Sequence, residues 1–383
     1  MESSLRGAAA IVGAGVYGLG ETPGQASVEI MARAALTALS DAGLDPSDVD
    51  GVISASPVYN MASMTAAEYL GIRPRFTEST MLGGSSFVFH VTPAALALQA
   101  GLCDVVLICY GSNQRSATGR LISNSLPDPY EVSYNPRMPI TAYALAASRH
   151  MFQYGTTREQ MAEVAVAARG WAALNPEAFV REPLTIDEVL SSRMISDPLS
   201  KLDCCLVTDG GGALVMTRAG PAKDLPKPPV YVLGHATEHW HRSIAQLPDL
   251  TITAATESGR RAFEMAGLGP TDVDVVQLYD AFTINTILFL EDLGYCKKGE
   301  GGAFVSEGRI GPGGNLPVNT NGGGLSCCHP GMYGIFPVIE AVRQVRGEAG
   351  ARQIDDVDVA LAHGNGGVLS SQSTLVLGSA NTL

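Results

Sequence analysis

The sequence predicts an α/β fold built from two duplicated halves, and three observations carry that expectation. AGLDPSDVDGV at 42–52 and AGLGPTDVDVV at 266–276 agree at eight of eleven positions, and each follows a helix-like segment. A second pair comes in the same order: GGSSFVFHVTPAALALQAGLCDVVLICYG, and GGGLSCCHPGMYGIFPVIEAVRQVRG with DVDVALAHGNGG, each a glycine-rich turn, a helix and a buried strand. Shared order over such a length marks an internal duplication, and units of this kind pack as layered strands and helices. The third observation is bulk: 383 residues, 46% hydrophobic and 16% charged, can bury a large core.

Taken in order, AAAIVGAGVYG reads as a buried strand. Gly13, Gly15 and Gly18 satisfy GxGxxG spacing, but a dinucleotide site needs the last glycine to open the helix at once and an acid to close the second strand. Pro23 and Gly24 intervene, so no nicotinamide site is expected. The next helix starts near Ser27, with an apolar stripe of Val28, Ile30, Met31, Ala34, Ala35, Leu36 and Leu39. The first half is assigned to 1–111 and 203–235 and the second to 236–383. Between them, 112–202 holds SLPDPYEVSYNPRMP and several polar helical stretches, an inserted loop lobe placed to cover a site. DCCLVTDGGGALVMT at 203–217 reads as a hairpin-like return to the first half, with Asp209-Gly210-Gly211-Gly212 as a turn or bulge.

A formal charge of −13 argues against a nucleic-acid binder, whose affinity comes from clustered Lys and Arg. MESSLRGAAAIVGAG lacks the basic start and cleavage site of a secretory signal, and no apolar run reaches the roughly 18 residues of a membrane span. A soluble cytoplasmic protein is expected. Seven cysteines, four of them in the adjacent pairs Cys204-Cys205 and Cys327-Cys328, form no disulfide framework, and with no CxxC pair no metal site is expected.

Chemistry concentrates at 319–334, NTNGGGLSCCHPGMYG. Gly322, Gly323 and Gly324 allow close backbone approach, and Pro330 suits the first turn of a helix. A helix start there would put Cys327, Cys328 and His329 at the positive end of a dipole. One thiol could then be activated beside the imidazole, or both could pack as small hydrophobes. HATEHWH is expected to be an exposed or loop segment rather than a metal site.

On that duplicated layout the motifs resemble the thiolase superfamily, most closely its sterol-carrier-protein-type, lipid-transfer-like branch. GGGLSCCHPGMYG is similar to the family's GGxLSxGHPxGxxG, YDAFTINTILFLEDLGYCKKGEGGAFV to the branch's HDCF motif and following helix, and LAHGNGG to the C-terminal catalytic loop. The resemblance implies a five-layered α/β/α/β/α fold, a homodimer formed through the first half, and acyl-CoA and CoA bound under the loop lobe, with coenzyme A a substrate moiety rather than a covalent cofactor. It also implies CoA contacts at Gly323, Gly324 and Ser326, and a pairing with a small OB-fold zinc-ribbon subunit.

Residue by residue, the resemblance breaks at the nucleophile. MLGGSSFVF puts Gly84 where thiolases carry their reactive cysteine, and no cysteine occurs between Met1 and Leu102. In the HDCF counterpart the histidine is Tyr279, the aspartate Asp280 and the cysteine Ala281. His329 and His363 survive as candidate acid-base or oxyanion groups, with Cys327, Cys328 and Tyr279 as further catalytic candidates. Gly84, Ser85, Asp280, Asn365 and Tyr333 are assigned to the oxyanion and substrate site. Three functions stay open: 3-oxoacyl-CoA thiolysis, which is favoured on the retained His329 and His363; retro-aldol cleavage of a 3-hydroxyacyl-CoA, which needs no thiol; and non-catalytic acyl-CoA binding.

Overall fold

The computed structural model describes residues 5–120 and 129–383. The first four residues of the N-terminus read above for a signal, and the start of SLPDPYEVSYNPRMP through residue 128, lie outside it.

The first half runs β1 (Ala9–Gly20), α1 (Ser27–Ala42), β2 (Gly51–Ser54), α2 (Ala62–Leu70), β3 (Phe76–Glu78), α3 (Ser86–Gln99) and β4 (Val105–Ser112). The lobe follows with α4 (Gln114–Thr118), α5 (Ile140–Tyr154), α6 (Arg158–Ala173), α7 (Ile186–Ser191) and the short pair β5 (Met194–Ser196) and β6 (Leu199–Ser200). The chain returns through β7 (Asp209–Arg218) and α8 (Ala219–Ala222). The second half is β8 (Val230–His239), α9 (Ala255–Ala266), β9 (Val275–Leu278), α10 (Thr283–Asp292), α11 (Gly301–Val305), α12 (Ile335–Val345), β10 (Val359–Gly366) and β11 (Ser371–Gly378).

Strand order makes the duplication physical. The sheet reads β3-β2-β4-β7-β1-β8-β11-β10-β9, so β2-β4-β7-β1 in one half meets its mirror β9-β10-β11-β8 in the other. Pairing directions match as well: β2 and β4 are parallel, as are β9 and β10, and the remaining neighbours in each set are antiparallel. The halves join where Ala10 and Ile11 of β1 pair with Tyr231 and Val230 of β8. The two copies of the repeated sequence form equivalent elements, a tight turn at Pro46–Asp48 before β2 and at Pro270–Asp272 before β9. Helices α3 and α12 each touch strands of both halves and form the middle layer, while α1 covers the first half from outside and α9 the second. That is the five-layered thiolase-like arrangement.

Two expectations change, and a third observation explains a spacing. The half boundary drawn at 235/236 cuts through β8, which pairs with β11, so the division falls between β7 and β8. Residues 209–212 are not a turn; they lie inside β7, paired with both β1 and β4, and the bulge half of the expectation holds as a register irregularity where Tyr17 and Gly20 pair with Gly211 and Asp209. Glycine is needed there because a Cβ at Gly212 would meet Ile335 and Ile339 of α12 at 2.8 and 2.9 Å. Finally, Gly13 and Gly15 lie in the continuous strand β1, directly beneath α1, where a Cβ would come within 2.2 and 2.5 Å of Ala38 backbone atoms. Close helix-on-strand packing explains Gly13 and Gly15, and a positive φ of +64° explains Gly18.

Candidate active site

A cavity of about 520 Å³ opens where the two halves and the lobe converge. Gly83 and Gly84 bound it from the first half, Met138, Pro139 and Tyr143 from the lobe, and Tyr279, Phe282, His329 and Asn365 from the second half. Residues of the 112–202 segment therefore form part of the cavity wall.

Tyr279 follows β9 directly, its N–H donating to the carbonyl of His363 across the parallel pair at 3.0 Å. Its hydroxyl lies 3.0 Å from Nε2 of His329 and accepts the Tyr333 N–H at 3.3 Å. The rings of Tyr279 and His329 stand edge to face, 5.6 Å apart at 85°. The position of Tyr279 is bound up with Gly84. A Cβ at residue 84 would sit 2.2 Å from Cε2 of Tyr279 and 2.5 Å from its hydroxyl oxygen, closer than real Cβ atoms come to anything. The phenol fills the space in which a cysteine at 84 would project. A side chain at residue 84 and the Tyr279 phenol compete for one volume.

His329 is buried, and desolvation lowers its pKa to about 4, so the imidazole is neutral at physiological pH. Its backbone is held at both ends: the N–H donates to Oγ1 of Thr208 at 2.9 Å, and the carbonyl accepts from Nε2 of Gln114 at 2.7 Å. Nδ1 finds no partner among the described residues. Burial also pushes the Tyr279 phenol well above its ordinary value, so it stays protonated.

The helix-dipole expectation for this stretch fails. Residues 323–327 form one wide helical turn, Cys328 is extended, and α12 begins only at Ile335. Pro330 therefore lies outside the helix, and the thiols and His329 stand several residues short of its first turn. Neither Cys327 nor Cys328 lines the cavity, and both are buried. Cys327 Sγ accepts a long contact from the Asn175 amide at 3.7 Å, and desolvation raises the Cys328 thiol well above its ordinary pKa. A replacement nucleophile needs a thiolate at the substrate, and neither sulfur reaches the cavity.

Gly323, Gly324 and Ser326 do not line the cavity either. Asp280, fully buried beneath them, accepts the Gly324 N–H at 2.6 Å and the Leu325 N–H at 3.4 Å, and a Cβ at Gly323 would collide with its Oδ2 at 2.0 Å. Gly323 also has φ +65°, so both the space and the backbone require glycine. Ser326 Oγ accepts from Nε of Arg169 at 2.9 Å. Asp280 thus braces the loop that presents His329, and desolvation raises its pKa to about 7 despite those donors.

His363 is closed off from the cavity. Its Nδ1 lies 2.9 Å from Oγ1 of Thr374, its Nε2 lies 2.9 Å from Oε1 of Gln372, and Phe289 packs 4.7 Å from its ring. Burial takes its pKa to about 4. Asn365, two residues on along β10, does line the cavity. Ser85 is buried behind the wall with Oγ 2.8 Å from Oγ of Ser371. The Tyr333 hydroxyl turns away to donate to Asn321 at 3.0 Å, leaving its backbone N–H on Tyr279.

Sequence reasoning missed several lining residues. Tyr143 of the lobe packs with its ring 4.5 Å from that of Phe282, tilted by 33°, and Cys205 reaches the cavity with its thiol pushed well up by burial. His239, at the end of β8, and His241 and Arg242 just beyond it also line the cavity, so HATEHWH is a strand end on the site rather than a detached loop. The one available signal was position: this stretch ends a buried strand, where ligands of such sheets collect.

Residues 236–379 match the family model described as thiolase C-terminal domain-like. Over 387 aligned residues the chain is 34% identical to a steroid side-chain-cleaving aldolase of Thermomonospora curvata, covering 95% of this chain and 97% of that one. It is 33% identical to an acetyl-CoA acetyltransferase of Methanothermobacter thermautotrophicus, covering 94% and 96%. Among solved structures, the Ltp2-ChsH2(DUF35) aldolase superposes with a TM-score of 0.89 at 33% identity over 98% of both chains.

Proposed function

Because the chain belongs to the thiolase superfamily, in the sterol-carrier-protein-type branch that includes retro-aldolases, we propose that it cleaves a 3-hydroxyacyl-CoA by retro-aldol chemistry, without an acyl-enzyme. Action on a carbon-carbon bond of an acyl-CoA is common ground among its relatives. The observation that carries the finer reading is the Gly84–Tyr279 exchange, which puts a protonated phenol where thiolysis requires a sulfur. In the proposed step Tyr279 takes the proton of the substrate 3-hydroxyl while its own phenolic proton passes to Nε2 of His329. The C2–C3 bond breaks, its electron pair goes into the thioester enolate, and C3 leaves as an aldehyde or ketone. The proton then returns from His329 through Tyr279 to C2. A neutral imidazole in hydrogen-bond reach of the phenol is what this relay needs.

Arg242 supplies a cation at the cavity for a CoA phosphate. A small OB-fold zinc-ribbon subunit is the proposed partner, and co-purification from a host expressing both chains tests it.

Purified protein incubated with a 3-hydroxyacyl-CoA and no free CoA should release a carbonyl compound and a shortened acyl-CoA. Thiolysis of a 3-oxoacyl-CoA is the second reading, favoured by the retained His329. A strict need for free CoA, with two thioester products, would overturn the aldolase proposal in its favour.

A further inference from the structure

A chain of buried hydrogen bonds crosses the second half from its outer layer to the cavity. Oγ of Ser258, on α9, lies 2.9 Å from Oγ1 of Thr374, which lies 2.9 Å from Nδ1 of His363. Nε2 of His363 lies 2.9 Å from Oε1 of Gln372, Nε2 of Gln372 donates to Oδ1 of Asn365 at 2.9 Å, and Nδ2 of Asn365 donates to the Tyr143 hydroxyl at 2.8 Å. Every member is buried, and only Asn365 and Tyr143 line the cavity.

The polarity of each link follows from its neighbour. An amide oxygen only accepts, so His363 donates from Nε2, and its Nδ1 must then accept from Thr374. The amide of Gln372 spends its N–H on Asn365, and Asn365 spends its own on the oxygen of Tyr143. That leaves the Tyr143 proton to go elsewhere. Among the described residues it is offered the Gly367 carbonyl at 3.5 Å, too long to hold it well, and the Asn285 amide, near enough to favour the phenolate slightly but closing no hydrogen bond of ordinary geometry.

We propose that Tyr143 is a catalytic hydrogen-bond donor to the thioester oxygen of the substrate, and that Gln372 is the positioning residue that aims its proton into the cavity. The inference rests on the retro-aldol reading only in naming the oxygen as that of an enolate. Burial supports it, keeping the Tyr143 phenol protonated with its pKa at about 12 and His363 neutral. Turning over both amides would reverse the chain and send the Tyr143 proton into Asn365. Substitutions can force that reversal.

Gln372→Glu keeps the shape of the side chain but, as a carboxylate, can only accept. Asn365 must then turn its N–H toward residue 372 and its oxygen toward Tyr143, consuming the phenolic proton. Tyr143→Phe should lower kcat about 100-fold with KM nearly unchanged, the loss expected for one oxyanion donor. Gln372→Glu should cause a similar loss, and the double variant should be no worse than Tyr143→Phe alone, because Gln372 acts through Tyr143. Gln372→Met adds no buried charge; it should lower kcat about tenfold and be silent in the Tyr143→Phe background. Circular dichroism and thermal unfolding establish that each variant is folded.

Wild-type turnover of 3-hydroxyacyl-CoA without CoA decides the retro-aldol reading by itself. Calorimetric binding of a CoA thioether bearing a nitronate, an enolate mimic, to the same variants reads the donor whatever the reaction is; the same pattern of losses in affinity is expected, with acetyl-CoA affinity nearly unchanged. Multiplying losses in the double variant, or wild-type kcat and affinity in folded Tyr143→Phe or Gln372→Met, would overturn the proposal.

Discussion

The two copies of the glycine-turn-helix unit face each other across the middle of the molecule, and they have diverged in opposite directions. In the first copy the turn at Gly83–Ser85 runs straight into α3, and it carries no cysteine. In the second copy the loop wanders from residue 323 to 334 before α12 begins, and it holds His329. The copies touch, since a Cβ at Gly334 would lie 2.1 Å from the carbonyl oxygen of Gly84. Tyr279, delivered by β9, fills the space left in the first copy and bonds to the histidine of the second. Under the proposed retro-aldol reading, the chemistry rests on a phenol-imidazole pair spanning both copies rather than on a thiol in one.

The comparison is broken most severely by removing the phenol. Tyr279→Phe keeps the ring against Gly84 and deletes only the oxygen, so kcat should fall by about 10² to 10⁴ with the fold intact, as stopped assays on 3-hydroxyacyl-CoA would register. His329→Gln should lower kcat by about 10² or more, and a variant with wild-type turnover would remove the imidazole from the mechanism.

Gly84→Cys tests the steric exchange itself. Restoring the thiol while Tyr279 stays should destabilise the protein by about 1–3 kcal/mol, the usual range for overpacking, without conferring thiolysis. Adding Tyr279→Ala should recover part of that loss in a denaturant titration. Equal stability of Gly84→Cys and the parent would mean that the two residues do not compete for space.

Acid should act on both copies together. His90 on α3 and His329 are each held neutral by burial, with pKa values near 4. An unfolded histidine titrates near 6.5, so below that pH the unfolded state binds the extra protons. The stability these histidines confer is complete above about pH 6.5 and drains away as pH falls toward 4; His235 and His363 add to the effect. Asp280 has the opposite sign: with its folded pKa raised to about 7, its contribution is full below its unfolded value and lost as pH rises through 7. Tm should therefore fall between pH 6.5 and 4.5, and more steeply in Asp280→Asn. A flat profile would contradict the buried neutral histidines.

The smallest effect is expected where the sequence looked most reactive. Cys327→Ser and Cys328→Ser should leave kcat within about twofold, since neither sulfur touches the cavity. A large loss of kcat with KM and fold unchanged would return a thiol to the chemistry.

The duplication was legible because strand-turn-helix units leave periodic, repeated sequence, and both copies of AGLxPxDVDxV became the same turn and strand. His329 and Tyr279 were legible through motif position. What could not be read was direction. Cys327 and Cys328 neighbour His329 in sequence, but the extended backbone at Cys328 and the late start of α12 turn their sulfurs into the core. Asp280 and Gly323 looked like substrate contacts and instead lock together, a pairing that no local spacing encodes. Tyr143 and Arg242 carried no motif, and only the folding of the lobe and the end of β8 over the cavity brings them to the site.

The central claim, that Tyr279 has displaced covalent chemistry at residue 84, is tested most directly by intact-protein mass spectrometry of acid-quenched turnover mixtures. Protein mixed with 3-hydroxyacyl-CoA, and separately with 3-oxoacyl-CoA, should retain its unmodified mass while the 3-hydroxy substrate is consumed. A mass increase equal to the acyl group, mapped by peptide sequencing to Cys205, Cys327 or Cys328, would contradict it.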